Sequence, residues 1–168
     1  MQKIIEILEE KQIKYDLFDS KLIVHGHLDL SGLNITNLPQ NLKVTGSLIL
    51  RNTPIPKLPD GLSCGLDLDL RASKIKSLSD NLFVGGNLYL NDTAINQLLN
   101  NLIVGWNLDL TNTQILEIPS DIIVGRDLIL KNSSIKQLPN GFKVGQNLYL
   151  NNSKISTLPE NLVIGGDL

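Results

Sequence analysis

Cysteine is almost missing from this chain. The one present, Cys64, can form no internal disulfide, and no metal-type cysteine spacing exists. Histidine occurs twice, as His25 and His27, so no serine or cysteine nucleophile has a histidine placed by pattern to activate it. No phosphate-cradling glycine loop opens a helix. Aromatic residues make up 4% of the 168, and no apolar run reaches the length of a signal-peptide core or a membrane span. A net charge of -2 and a pI near 5.6 give no global basic field to hold nucleic acid or an anionic membrane. Together these absences argue for a protein that is not an enzyme, carries no cofactor, and binds neither nucleic acid nor membrane. They place it in the cytoplasm or another reducing compartment, with secretion by a signal-peptide-independent route left open.

What the chain has in abundance is repetition. Counted from Leu22, seven full copies of a twenty-residue phrase run over 22–161, and a partial eighth fills 162–168. A period of this length marks a solenoid, whose units are too small to fold alone and are completed by their neighbours. Position one is Leu, Ile or Phe in every copy, and position three is Val, Cys or Ile. Positions seven and nine are leucine throughout, from Leu28 and Leu30 to Leu148 and Leu150. Position fourteen is always isoleucine, Ile35 to Ile155, and seventeen is leucine except for Ile118. Alternation over positions one to nine, bounded by turn residues, predicts extended chain rather than helix. Glycine at position four, Gly65 to Gly165, predicts a bend between two short strands. The Leu-Pro of seventeen and eighteen predicts an extended segment that needs no ladder donor.

Before the array, residues 1–11 set Ile4, Ile5, Ile7 and Leu8 on one helical stripe, with lysines and glutamates mostly opposite. This is a short amphipathic helix suited to cap the open end of a coil. Residues 13–20 then read as a connector. The organisation expected is therefore a helical cap and connector over 1–21 and a repeat array over 22–168.

From position seven onward the phrase L-x-L-x-x-[NTS]-x-I-x-x-L-P resembles leucine-rich repeats. Its length is similar to the short bacterial class found in some secreted effector proteins. The resemblance covers 22–168 and implies a coil of parallel strands that binds protein. Two departures stand out: position twelve carries Leu33, Thr53, Ser73, Thr93, Thr113, Ser133 and Ser153 where asparagine is usual, and the expected leucine before the second strand is a glycine with valine one place earlier. The Thr/Ser ladder is expected to bond inward to backbone of the next turn. The shifted valine makes a closed parallel β-solenoid the alternative cross-section.

Two surfaces are candidates for a partner. If leucines seven and nine point inward, positions six, eight and ten share an outward face. Position eight reads Asp29, Ile49, Asp69, Tyr89, Asp109, Ile129 and Tyr149, and position six includes Asn87 and Asn107. These positions change from turn to turn while the core hardly varies, which is how a solenoid presents a specific surface. Tyr89 and Tyr149 are the best anchors, since tyrosine gives contact area at low entropic cost. The plainer reading is a solvated sheet face. The second surface is position two, where Phe83, Ile103 and Ile123 occupy successive turns. A bend that folds them into a minor core is the plainer expectation; facing outward, they would form an apolar strip for protein contact or self-association. Trp106 and Arg126, vertical neighbours at position five, are placed for a cation–π contact.

Metal chemistry finds little support. His25 and His27 are read as surface histidines parted by the Gly26 bend. Asp67, Asp69, Asp109 and Asp127 lack the glycine-aspartate nonapeptide of calcium-binding rolls. Cys64 sits in a valine slot and reads as a buried thiol. Three functional readings follow. The first is a noncatalytic protein-interaction module of bacterial, phage or effector type. The second is the recognition part of a longer effector, because the sequence stops inside a repeat at 165–168 and an open end there would continue into another domain or self-associate. The third is a Thr/Ser ladder that faces outward and orders water or ice.

Overall fold

Aliphatic residues that recur every twenty positions are buried together only if each copy stacks on the next in register, and the chain does this. The computed structural model describes residues 1–168 and is a parallel β-solenoid with one helix at its N-terminus. Each turn contributes to two sheets. The first sheet takes positions two and three, in strands such as Phe83–Val84, Ile103–Val104 and Ile123–Val124. The second takes positions seven and eight, in Leu88–Tyr89, Leu108–Asp109 and Leu128–Ile129. Pairing is parallel with a twenty-residue step: Val84 lies beside Val104, and Leu88 beside Leu108. The third side of each turn forms no continuous sheet and has a single isolated bridge, Lys57 with Ser77. The Leu-Pro segments lie there, where a missing N–H costs the ladder nothing.

The ladders run in opposite senses. On the first sheet the later turn donates to the earlier, as from Gly105 N to Val84 O at 2.8 Å. On the second the earlier turn donates to the later, as from Leu88 N to Asn107 O at 2.9 Å. Every interior turn is thus tied to both neighbours, and removing one turn would leave unpaired groups on both sides. Inside, positions one, three, seven, nine, fourteen and seventeen join with Ile4 and Leu8 of the helix in one cluster of 41 buried residues, so the core is continuous along the coil.

Three corners close each turn, two through left-handed backbone and one through the close approach of neighbouring turns. At position eleven Asn52, Ala72, Asp92, Asn112, Asn132 and Asn152 take left-handed backbone, with φ between 54° and 60° for the first four, and asparagine tolerates that region better than most residues. Their side chains also stack: Asn112 Nδ2 donates to Asp92 Oδ1 at 2.7 Å, and Asn132 Nδ2 to Asn112 Oδ1 at 3.1 Å. The corner at position twenty likewise uses left-handed Asn41, Asn81, Asn101 or Asn161, with Gly61 and Gly141 in two turns. The glycines of position four act otherwise than by freedom to bend. Their φ is negative or extended, but a Cβ on Gly105 would lie 2.1 Å from Gly85 O, so adjacent turns approach too closely there for any side chain.

The N-terminal segment does more than connect. Helix α1 (Gln2–Glu10) buries Ile4 and Leu8 over the end of the core. Strand β1 (Tyr15–Phe18) then pairs antiparallel with β2 (Lys21–Val24), the first strand of the first sheet, through a two-residue turn at Asp19 and Ser20, both with positive φ. This is the hairpin turn whose usual signal is Asn-Gly or Asp-Gly, and Asp-Ser does not announce it. The expected connector is therefore an edge strand that covers one end of the ladder. No helix is long and apolar enough to cross a membrane.

Candidate functional site

The outward face of the second sheet is less open than its alternation implies. Position six turns its side chains sideways, and each accepts a hydrogen bond from the backbone N–H of position six one turn on. Asp67 Oδ1 accepts from Asn87 N at 2.7 Å, Asn87 Oδ1 from Asn107 N at 3.2 Å, and Asn107 Oδ1 from Asp127 N at 3.0 Å. The ladder begins with His27, whose Nδ1 accepts from Ser47 N at 3.1 Å. Asn87 is buried and also donates Nδ2 to Asp67. Asn87 and Asn107 thus hold the corner between the sheets, where first-sheet pairing ends and backbone donors need acceptors. The sequence does carry this signal: His, Ser, Asp and Asn are the only residues found at position six, and all are short acceptors.

Position eight divides by turn. In the first, third and fifth copies Asp29, Asp69 and Asp109 accept from the backbone N–H two residues on, at Ser31, Arg71 and Thr111, an Asx-type contact that shapes the strand end. In the second, fourth, sixth and seventh copies the outward residues are Ile49, Tyr89, Ile129 and Tyr149. Asp69, expected to face a partner, is 2% exposed because Arg51 and Arg71 close over it, with Arg71 Nη2 at 2.6 Å from Oδ2. Burial alone would raise its carboxyl pKa, but the hydrogen bonds from Arg71 and Arg51 outweigh this and hold it below the usual range. Arg71 then stacks over Tyr89 at 5.0 Å, and Lys131 over Tyr149 at 5.3 Å. Partial burial and the neighbouring Asp67 charge raise the Tyr89 phenol above its ordinary value. Both tyrosines are held by a cation, which removes rotamer freedom before any partner arrives.

The first sheet presents the opposite surface. Position two points outward, so the expected folding of its residues into a minor core does not occur: Phe83 is 45%, Ile103 37% and Ile123 57% exposed. In a two-residue strand whose position three faces the core, pleating leaves position two no inward direction. The three lie side by side in adjacent strands. Beside them the glycine column leaves bare backbone, and beyond it stand Leu66 and Trp106, with Arg126 Cζ 4.8 Å above the Trp106 ring. A hollow of about 590 Å³ opens at one end, bounded by Asp121, Ile123, Phe142, Lys143 and Val163.

The Thr/Ser ladder faces inward, as expected of it, but bonds its own turn. Thr53, Thr93 and Thr113 donate Oγ1 to the carbonyls of Leu50, Leu90 and Leu110 at 2.6–2.7 Å. Ser73 and Ser133 are buried with their hydroxyls unpaired. The outward ladder that water or ice ordering needs is not there. His25 bonds Asp16 and His27 bonds the second turn, so Gly26 does part them. Cys64 is buried in its valine slot, and burial pushes its thiol pKa up to about 12.

Comparison with protein-family models, with curated proteins and with solved structures gave no match to this chain.

Proposed function

We propose that this chain is a noncatalytic protein-interaction module whose partner docks on the outer face of the second sheet. The observation that carries this reading is the contrast between columns. Core positions stay apolar in every turn, with seven, nine and fourteen unchanged throughout, whereas the outward residues at position eight change from each turn to the next, with two cation-held tyrosines among them. A surface individual in each turn recognises one partner in one register. Tyr89, Tyr149, Ile49 and Ile129 make the contact, and the aspartates of position eight with Arg51 and Arg71 fix the frame around them. The resemblance of the repeat to short bacterial leucine-rich repeats supports the same role, in a bacterial or phage protein of effector type.

The test is affinity capture with the full chain beside a Tyr89→Ala/Tyr149→Ala variant of equal thermal stability. Anchor residues of this kind are worth about 2 kcal/mol or more each, so removing both should weaken partner binding by several hundredfold, and removing either one by roughly thirtyfold. Undiminished capture by a folded variant would overturn the assignment.

A further inference from the structure

The apolar column of the first sheet belongs neither to the core nor to the second-sheet face, and nothing in the chain covers it. We propose that a second copy of this chain does. Two protomers pack first sheet against first sheet with their coil axes antiparallel, about a two-fold axis that passes by Ile103.

Shape is the first argument. Because position four is glycine from Gly65 to Gly165, the strip beside position two carries no side chain in the last six turns, and a partner surface can approach the backbone there. Eight parallel strands at about 4.8 Å span roughly 34 Å, and the five residues from the corner at position twenty to that at position four about 16 Å. That is on the order of 550 Å² per copy, or about 1,100 Å² in all, enough to clear the roughly 1,000 Å² that a specific interface needs. The centre of the face is apolar, as interface cores are: Phe83, Ile103 and Ile123, with Trp106 alongside.

Charge then selects the arrangement. Two lysines interrupt the same outward column, Lys43 and Lys143, and neither has an ion pair within the chain. Parallel coil axes would set each lysine on its own twin. Antiparallel axes centred on Ile103 bring Lys143 level with the partner's Ser63, whose strand is entered past Asp60. They bring Lys43 level with the partner's Val163, whose strand is entered past Glu160. Each lysine thus has an acidic residue three positions along the facing strand, at the rim, as its nearest charge, four pairs in all by symmetry. Phe83 comes level with the partner's Ile123, at the mouth of the hollow beside Phe142 and Lys143. Against this, Asp80 and Asp121 also come level, two pairs by symmetry at the same solvated rim, where attraction and repulsion are screened alike, so they offset part of the four favourable pairs.

This inference does not depend on the second-sheet reading, and its failure would leave that reading standing. The test is the mass of the full chain in solution by sedimentation over a range of concentrations. A dimer of twice 18.5 kDa is expected, dissociating on dilution. Phe83→Ser/Ile103→Ser should be monomeric, with the melting curve the wild-type chain shows at dilutions where it too is monomeric. Lys143→Glu should weaken the dimer roughly two- to fivefold for each pair lost, and Lys143→Glu/Asp60→Lys should recover the loss. A chain monomeric at every concentration would overturn the proposal, as would a dimer that survives Phe83→Ser/Ile103→Ser. A double charge variant no tighter than Lys143→Glu alone would overturn the antiparallel register.

Discussion

On the first sheet the outward residues of the fourth, fifth and sixth copies are Phe83, Ile103 and Ile123; on the second sheet the same copies carry Tyr89, Asp109 and Ile129. The backbone ladders beneath are alike in spacing and register, and the side chains above them differ in kind. On the second sheet polar groups find partners within the chain: Asp69 lies between Arg51 and Arg71, Arg71 lies on Tyr89, and Asp109 bonds Thr111. On the first sheet the aliphatic and aromatic side chains of these copies stand exposed, with Arg126 stacked on Trp106 beside them. The difference shows that a solenoid separates scaffold from surface. Once inward columns and corners are satisfied, each outward face is free to take its own chemistry. Here one face has become polar and pre-ordered and the other flat and apolar, which fits a selective partner on one and a copy of the chain on the other.

The sharpest way to break the comparison is to fill the floor of the first sheet. Gly105→Ala places a Cβ against Gly85 O, and neither turn can shift without disturbing the bonds from Gly105 N to Val84 O and from Trp106 N to Gly86 O. A loss of about 3 kcal/mol is expected, at the upper end for overpacking. Gly141→Ala, in an open corner with φ at +70°, should cost about 1 kcal/mol from left-handed strain alone. Denaturant melts of the two variants check the ratio, and equal losses would mean that the glycine column has no close-approach role.

A smaller effect tests the second sheet. The folded Asp69 carboxyl titrates below its unfolded value of about 3.9, so its contribution to stability is present above that pH and is lost as pH falls through the folded value. Below about pH 4 the wild-type chain should therefore lose stability more steeply than Asp69→Asn. Parallel curves of melting temperature against pH would contradict the two-arginine clamp. The smallest effect concerns Cys64, which lies under the first sheet and whose thiol burial pushes up to about 12. At neutral pH a thiol reagent should label it only as fast as the chain unfolds, and prompt labelling of the native protein would place it elsewhere.

Much of the fold was legible because burial writes itself into sequence with a fixed period: the leucines of seven and nine, the valine of three and the isoleucine of fourteen all lie in the core as alternation predicts. The corners were harder to read. Glycine at position four predicts a bend, and a bend is there, but what requires glycine is the carbonyl oxygen of the turn below, a contact between residues twenty apart that no local pattern displays. Asparagine at position eleven takes left-handed backbone and stacks its amide on those of the turns above and below, a role that no single copy displays. Position six looked like a binding face because it is polar and alternates outward, yet its side chains accept backbone hydrogen bonds along the corner. Of the candidate site residues, alternation placed Tyr89, Tyr149, Ile49 and Ile129 on the outward column correctly. It could not foresee that Asp69 would be enclosed by Arg71 of its own turn and Arg51 of the turn before; for Phe83, Ile103 and Ile123 alternation with position three gives the outward direction, and only the expected glycine bend argued for a minor core.

The measurement that tests the two-face account most directly is a crossed comparison of two surface variants, each assayed for dimer mass and for partner capture. Tyr89→Ala/Tyr149→Ala should lose the partner and keep the dimer, while Phe83→Ser/Ile103→Ser should lose the dimer and keep the partner. If both properties fall together in either folded variant, or neither falls in either, the division of the coil into two independent binding faces is wrong.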